Sequence, residues 1–260
     1  MSSPTSWSAG RYDAIGDQIA TIATEVVSAA GRRVPLSDAA VADLACGTGS
    51  VALAASAAGA RVTGVDITPE LIALAADKAE AAGVAVKWLT GDAADTGLPG
   101  GSFDAVLSNM GIIFVEPTRQ VAEIARLLRP GGVLSFSSWV PDPDTPFFRP
   151  IVTVLGPPPA SDYGPDQWGV AETITDRLAG DFDDMAIETG ACTWQLGTVD
   201  DAMYLLGHES PIHVSLLGNL DAAKRGELLA AFEDAMRASV TADGFVTFDA
   251  PYVVVTALRR

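Results

Sequence analysis

Cysteine and histidine are scarce in this chain. The two cysteines, Cys46 and Cys192, stand far apart in the 260 residues and form no C-x-x-C pair. That excludes a disulfide framework and suits a reducing compartment. The two histidines, His208 and His213, lie five residues apart with Pro211 between them. This spacing does not put both on one helix face, and no supporting ligand cluster accompanies them, so no metal site is expected. Basic residues are few as well: 16 Lys and Arg stand against 33 Asp and Glu, for a formal charge of −17 and a pI of about 4.3. No Lys/Arg stripe is available to neutralise phosphates, which argues against nucleic acid as a partner and against an anionic membrane surface. No apolar run reaches the roughly 20 residues that span a bilayer. The start M-S-S-P-T-S-W has no basic segment leading into an apolar one, so no signal peptide is expected and the expected location is cytoplasmic. Repeats and low-complexity tracts are absent.

What is present is a globular composition. Hydrophobic residues make up 48% and charged residues 19%, with mean hydropathy +0.27. A disordered acidic chain would be far poorer in apolar residues, and this one has enough to bury a core. The acidity is uneven. Residues 1–140 carry 9 basic and 14 acidic side chains, net −5, whereas residues 141–260 carry 7 and 19, net −12.

Periodicity divides the chain into elements. Ala14–Arg32 reads as one helix, with Ile15, Ile19, Ile22 and Val26 at helical spacing. A short strand over Val41–Ala45 leads to Gly47, and an Ala-rich helix over Ser50–Ala58 stops at Gly59. A second strand, Arg61–Asp66, precedes a helix that opens on Thr68-Pro69-Glu70 and ends at Gly83. Further strands are expected at Val84–Leu89, Phe103–Ser108 and Val133–Ser138, with a helix at Pro117–Arg129 stopped by Pro130-Gly131-Gly132. Strands alternating with helices imply βαβ units and a parallel sheet. Val140–Gly169 holds eight prolines and several aromatics, and is long enough to suggest a lid or substrate loop. Helices at Glu172–Ala179, Asp200–Leu206 and Asp221–Val240 and strands at Ala186–Leu196 and Phe245–Leu258 complete the reading.

The chemistry-bearing pattern begins at the first strand, V-A-D-L-A-C-G-T-G-S-V-A over Val41–Ala52. A Gly-rich turn between strand and helix lets a ligand approach the backbone closely. Gly47-x-Gly49-x-x-Ala52 taken alone fits a dinucleotide fingerprint, a weak signal. Asp66 ends the second strand 17 residues after Gly49, where a carboxylate can accept from ribose hydroxyls. Three features narrow the choice between nicotinamide and S-adenosylmethionine. Asp43 stands four residues before Gly47, Gly91-Asp92-Ala93 follows the third strand, and L-L-R-P-G-G over Leu127–Gly132 precedes the fifth.

With these four motifs in order over residues 41–138, the sequence resembles the class I S-adenosylmethionine-dependent methyltransferases, in particular the small-molecule branch with the ubiquinone and menaquinone C-methyltransferases. The resemblance implies an α/β fold, a three-layer Rossmann-like sandwich with a seven-stranded, mostly parallel sheet of order 3-2-1-4-5-7-6, strand 7 antiparallel, and a lid insertion. It implies one domain over 1–260, with a cofactor core at 35–140 and a substrate region at about 140–240 plus an N-terminal helix in 1–34. The implied cofactor is S-adenosyl-L-methionine, with S-adenosyl-L-homocysteine as product. Asp43, Ala45, Cys46, Gly47 and Gly49 would form the loop under its methionine part. Asp66 would hold the ribose, Ile67 would pack on the adenine, and Asp92 with the Ala93 N–H would read the adenine edge. Asn109 and Met110 would line the methionine tail, and Tyr12 would close the pocket. Ala45 stands where the family often has Gly.

Methyl transfer depends mainly on positioning and water exclusion. A hydroxyl acceptor would need a base, for which His208 and His213 are the histidine candidates. Trp7, Trp139, Phe147, Phe148, Tyr163 and Trp168 are the aromatic candidates for an apolar acceptor pocket. The expected acceptor is a small, largely apolar phenolic, quinone-like, lipid or secondary metabolite, methylated at a hydroxyl or activated carbon. The acidity after residue 140 favours a neutral or cationic acceptor over a phosphorylated or carboxylate one. Expected partners are this small molecule and neither nucleic acid nor membrane, with a homodimer left open. The rivals are an NAD(P)-binding oxidoreductase and a catalytically silent methyltransferase-fold binding protein. A short-chain oxidoreductase would need Tyr-x-x-x-Lys, which none of the four tyrosines provides.

Overall fold

A computed structural model describes residues 5–158 and 163–260. Residues 159–162 of the proline-rich stretch, and the first four residues of the chain, lie outside the described residues. In chain order the elements are α1 (Tyr12–Gln18), α2 (Ala20–Gly31), β1 (Ala40–Leu44), α3 (Ser50–Ala57), β2 (Arg61–Asp66), α4 (Pro69–Ala82), β3 (Val86–Thr90) and β4 (Phe103–Asn109). Then come α5 (Pro117–Leu127), β5 (Leu128–Trp139), α6 (Arg149–Leu155), α7 (Ala171–Leu178), β6 (Phe182–Gln195), α8 (Val199–Tyr204), α9 (Pro211–Gly218), α10 (Ala222–Ala238) and β7 (Thr247–Arg259). The strands form one seven-stranded sheet of order β3-β2-β1-β4-β5-β7-β6. β1 to β5 pair in parallel and β7 runs antiparallel to β5. This is the Rossmann-like topology that the resemblance implies.

The chain divides into two compact units. One comprises residues 19–141, 163–190 and 251–260 and holds most of the sheet. Its centre is apolar and tightly closed: Val41, Leu44, Val65, Leu107, Leu134 and Phe136 have no exposed surface. The other comprises residues 1–18, 142–162 and 191–250. It contains α1, α6, α8, α9 and α10 and an aromatic cluster in which the Phe147 ring lies 5.0 Å from Trp194, 4.9 Å from Phe248 and 5.4 Å from His213. These boundaries differ from a core at 35–140, because α2, Tyr163, Trp168 and α7 all group with the sheet.

Element ends set by local chemistry agree with the sequence reading. Helix α4 starts with Pro69 and ends on Gly83 at φ 67°, a left-handed cap. Three boundaries differ. The helix expected over 14–32 breaks at Ile19, whose carbonyl accepts from Asn109 Nδ2 at 3.2 Å. The Pro130-Gly131-Gly132 segment does not precede the fifth strand but lies inside it, where the β4–β5 register shifts between Phe103 and Ala105. Helices α6 and α9 have no counterpart in the sequence reading.

At the sheet edge a large residue faces a small one. Trp88 on β3 pairs with Gly64 on β2, and a Cβ on Gly64 would fall 2.4 Å from the indole ring. The same ring would stand 2.7 Å from a Cβ on Gly49, so it cannot slide away freely. Gly64→Ala is expected to destabilise the fold by about 1–3 kcal/mol through overpacking, lowering Tm by about 2–4 °C per kcal/mol. A melt within about 1 °C of the parent would show that the indole swings clear.

Candidate functional site

The sheet reverses its strand order between β1 and β4, and in open α/β sheets ligands bind outside the strand C-termini at such a switch point. Here the β1–α3 turn, Ala45–Gly49, meets the start of the segment after β4. The approach is close: a Cβ on Gly111 would stand 2.3 Å from the Ala45 carbonyl oxygen. Ala45 itself sits at φ 51°, a left-handed conformation that favours glycine.

Two buried carboxylates hold this turn. Asp66, 7% exposed, accepts from the Gly47 N–H through Oδ2 (2.8 Å) and from the Thr68 N–H through Oδ1 (2.9 Å). Gly49 is the N-cap of α3 and has no side chain to offer. Asp43 on β1 takes over that task, its Oδ2 accepting from the Ala52 N–H at 2.9 Å. Its Oδ1 is buried without a hydrogen-bond partner, as is the Thr48 hydroxyl in the same turn. Burial pushes the Asp43 carboxyl well above its usual range; the Ala52 N–H opposes this and the Asp66 charge adds to it. Burial likewise pushes the Cys46 thiol up, with Asp43 and Asp66 reinforcing the effect, so Cys46 is a protonated group within the turn.

The neighbouring walls follow from β2, β3 and β4. Ile67, directly after Asp66, is 65% exposed and offers an apolar surface. Asp92 is half-buried; Oδ1 accepts from the Ala94 N–H (2.8 Å) and Oδ2 from Arg119 Nη2 (3.2 Å). Asn109 ends β4 and Met110 follows it. The Asn109 side chain is committed at both ends: Oδ1 accepts from the Ser137 hydroxyl (2.7 Å) and Nδ2 donates to Ile19. Ser137 also accepts from the Met110 N–H (3.1 Å), and Met110 is 5% exposed at φ 57°. Asn109 is thus a strut between β4, β5 and α2. The sequence reading missed Ser108, whose hydroxyl donates to the Leu44 carbonyl (2.7 Å), and Ser137. Their signal was hydroxyls at core positions of apolar strands.

The remaining candidates are distributed differently. Trp139 is half-buried at the end of β5, and Tyr163 is half-buried. Trp168 is fully buried, edge-on to Phe136 at 5.3 Å and under the Arg177 guanidinium at 4.6 Å. This corrects its reading as a pocket-lining lid residue: it is core of the sheet-bearing unit. Trp7 and Tyr12 meet edge-on at 6.3 Å in the other unit, where Phe147 belongs to the aromatic cluster and Phe148 is 40% exposed. His208 is exposed, its ring stacked on Tyr204 at 4.7 Å. His213 is 7% exposed, with Nδ1 2.7 Å from the Ser210 hydroxyl and Nε2 3.4 Å from the Phe147 carbonyl. A carbonyl can only accept, so Nε2 carries the proton and Ser210 donates to Nδ1. Both nitrogens are engaged inside the cluster, which corrects His213 as a candidate base.

A methyltransferase-domain profile matches residues 42–136. An aklanonic acid methyltransferase of Streptomyces sp. (strain C5) is 31% identical over 172 residues, covering 62% of this chain and 75% of that protein. The chain belongs to the class I S-adenosylmethionine-dependent methyltransferases. An uncharacterised Mycobacterium tuberculosis protein is 32% identical over 193 residues, 72% of this chain and 68% of its own. The Thermus thermophilus demethylmenaquinone methyltransferase is 36% identical over 134 residues, 48% of this chain and 61% of its own. Among solved structures, a Haemonchus contortus phosphoethanolamine N-methyltransferase bound to S-adenosylhomocysteine superposes with TM-score 0.55 at 20% identity, covering 90% of this chain and 52% of that one. The cofactor of this methyltransferase is S-adenosylmethionine. The turn fits it: a buried carboxylate oxygen without a donor suits a ligand bearing positive charge, and the close-set backbone leaves room for no side chain.

Most of the acidity of the methyltransferase is at its surface. Among the described residues the buried carboxylates are Asp43, Asp66 and Glu123, all before residue 140. The described acidic residues after 140 are exposed or half-exposed. Solvated charges of this kind are screened, so the uneven charge is a weaker guide to the acceptor than its size suggests. Among the described residues no helix is long and apolar enough to cross a membrane.

His213 supplies a pH test. Burial lowers its pKa from 6.5 to about 4, with the Phe147 carbonyl opposing. The unfolded chain therefore binds the proton first, and stability falls as pH drops from about 6.5 to about 4, by up to about 3 kcal/mol. Melting curves across this range should show the loss, and His213→Asn should flatten it. An unchanged slope in the variant would assign the titration to another group.

Proposed function

We propose that this methyltransferase modifies a small, largely apolar acceptor, at a hydroxyl or activated carbon of a phenolic, quinone-like, lipid or secondary metabolite. The observation that carries the reading is the intact, carboxylate-held cofactor turn in a chain whose relatives include enzymes named for demethylmenaquinone and aklanonic acid. When bound, S-adenosylmethionine supplies an electrophilic methyl group on a sulfonium. The residues of the chain bind, orient and exclude water. In this reading Asp43, Ala45, Cys46, Gly47 and Gly49 lie under the methionine part. Asp66 keeps lone pairs free for the ribose hydroxyls while its two N–H contacts fix its orientation. Ile67 packs on the adenine face, and Asp92 and the Ala93 N–H meet the adenine edge. Asn109 and Met110 shape the wall at the end of β4, with Trp139 beside them on β5.

An acidic phenol or enol carbon needs little more than alignment with the methyl group. For a less acidic hydroxyl, the exposed His208 is the remaining histidine candidate for a base, since the ring of His213 is occupied. A cytoplasmic setting suits the free thiols of Cys46 and Cys192.

Asp66→Ala should weaken S-adenosylmethionine binding by about 1.5–3 kcal/mol, the worth of hydrogen bonds to a charged acceptor, or about 10- to 150-fold in Kd. Calorimetry would read it, and retained affinity would sink the ribose assignment. Incubation with the cofactor and a panel of phenols, quinones, fatty acids and sugars should yield a product heavier by one CH2 among the phenols, quinones or lipids. A product among the sugars alone would overturn the acceptor class.

A further inference from the structure

The segment joining β3 to β4 carries Asp92 and Ala93, and α5 runs along it with one face. Arg119 Nη2 donates to Asp92 Oδ2 at 3.2 Å, and Gln120 Nε2 donates to the Ala93 carbonyl at 3.1 Å. Glu123 Oε1 accepts from both the N–H (2.9 Å) and the hydroxyl (2.5 Å) of Thr96. At the helix end the carbonyls of Arg126 and Leu127 accept from the N–H groups of Gly101 (2.8 Å) and Ser102 (3.1 Å). Positions 119, 120, 123, 126 and 127 share one helix face. Their partners, 92, 93, 96, 101 and 102, follow in the same order, so the helix holds the segment in register.

Two observations set this apart from ordinary packing. Gln120 has no exposed surface, yet its Oε1 has no hydrogen-bond partner. An amide kept in the interior with half its capacity unused is there for the other half, the N–H on Ala93. Glu123 is 6% exposed and its carboxyl is held at about 2, although burial pushes it up, because the Arg126 guanidinium and the Thr96 donors outweigh that burial. The charge is therefore fully present as an anchor at neutral pH.

We propose that α5 is the positioning element for base recognition, with Arg119 and Gln120 orienting Asp92 and Ala93 and so setting the preference for adenine over a base without its amino group. The proposal rests on the reading that Asp92 and Ala93 meet the adenine edge. Arg119 and the Ala94 N–H each take one oxygen of Asp92, which fixes the plane of the carboxylate and leaves lone pairs for an amino donor. Gln120 fixes the tilt of the peptide after Ala93 and with it the backbone angles that aim the Ala93 N–H. A base with oxygen in place of the amino group would set an acceptor against an immobilised acceptor, the kind of mismatch that discriminates strongly.

The test compares binding of S-adenosylhomocysteine and S-inosylhomocysteine by calorimetry, with melting curves, for the parent, Asp92→Asn, Arg119→Ala and Gln120→Leu. The parent should prefer the adenine ligand by about tenfold or more, and Asp92→Asn should remove most of that preference. Arg119→Ala and Gln120→Leu should each reduce it by about threefold or more. Gln120→Leu should fold with a lowered melt, since it removes an unsatisfied acceptor but leaves the buried Ala93 carbonyl without its donor. Should Gln120→Leu fail to fold, Arg119→Ala decides, because Arg119 lies on the surface with a side chain 57% exposed. Full preference in both α5 variants beside its loss in Asp92→Asn would overturn the positioning role and leave the base reading standing. Unchanged preference in Asp92→Asn would overturn the base reading, and this proposal with it.

Discussion

Two carboxylates buried side by side would ordinarily destabilise a fold, since each loses its hydration. Asp43 and Asp66 persist at the sheet's switch point because the backbone answers them. The N–H groups of Gly47, Ala52 and Thr68 all point at their oxygens. In return the carboxylates hold a turn that has few other means of holding its shape, because Ala45, Gly47 and Gly49 all take left-handed angles. The position of α3, the close approach of Gly111 and the indole of Trp88 against Gly49 all follow from that turn. One oxygen of Asp43 stays unanswered.

Legibility in the sequence tracked the range of the interactions involved. The extents of β2 and α4 were readable because the stop signals, Gly59, Pro69 and Gly83, act within a few residues. The positions of Gly47, Asp66 and Asp92 were readable because each lies at or just past a strand end that the βαβ pattern dictates. The break at Ile19 was not, since its partner Asn109 is 90 residues away. Pro130-Gly131-Gly132 looked like a stop, and only pairing with β4 absorbs it into β5 as an irregularity. Trp168 and His213 looked like surface chemistry in a proline-rich or short-loop context. Their burial against Phe136 and within the Phe147 cluster is a tertiary fact with no local signature.

The polar face of α5 shows the same limit from the other side. In the sequence Arg119, Gln120 and Glu123 are only polar positions within the helix expected at Pro117–Arg129. They become informative only when the partners Asp92, Ala93 and Thr96 are brought beside them. The net charge was visible at once, yet it comes mostly from exposed carboxylates, with Asp43, Asp66 and Glu123 the buried ones among the described residues.

The sheet order has a consequence for how the chain is made. β7 leaves the ribosome after β6 but lies between β5 and β6. Until β7 emerges, β6 has no neighbour with which to pair, and the free edge of β5 stays open. The parallel half, β1 to β5, can assemble during synthesis, whereas the other half must wait. Non-local pairing of this kind slows folding and leaves a strand edge exposed meanwhile. Of all the strands, β7 is therefore the one whose arrival determines when the nascent sheet stops being a hazard to its neighbours.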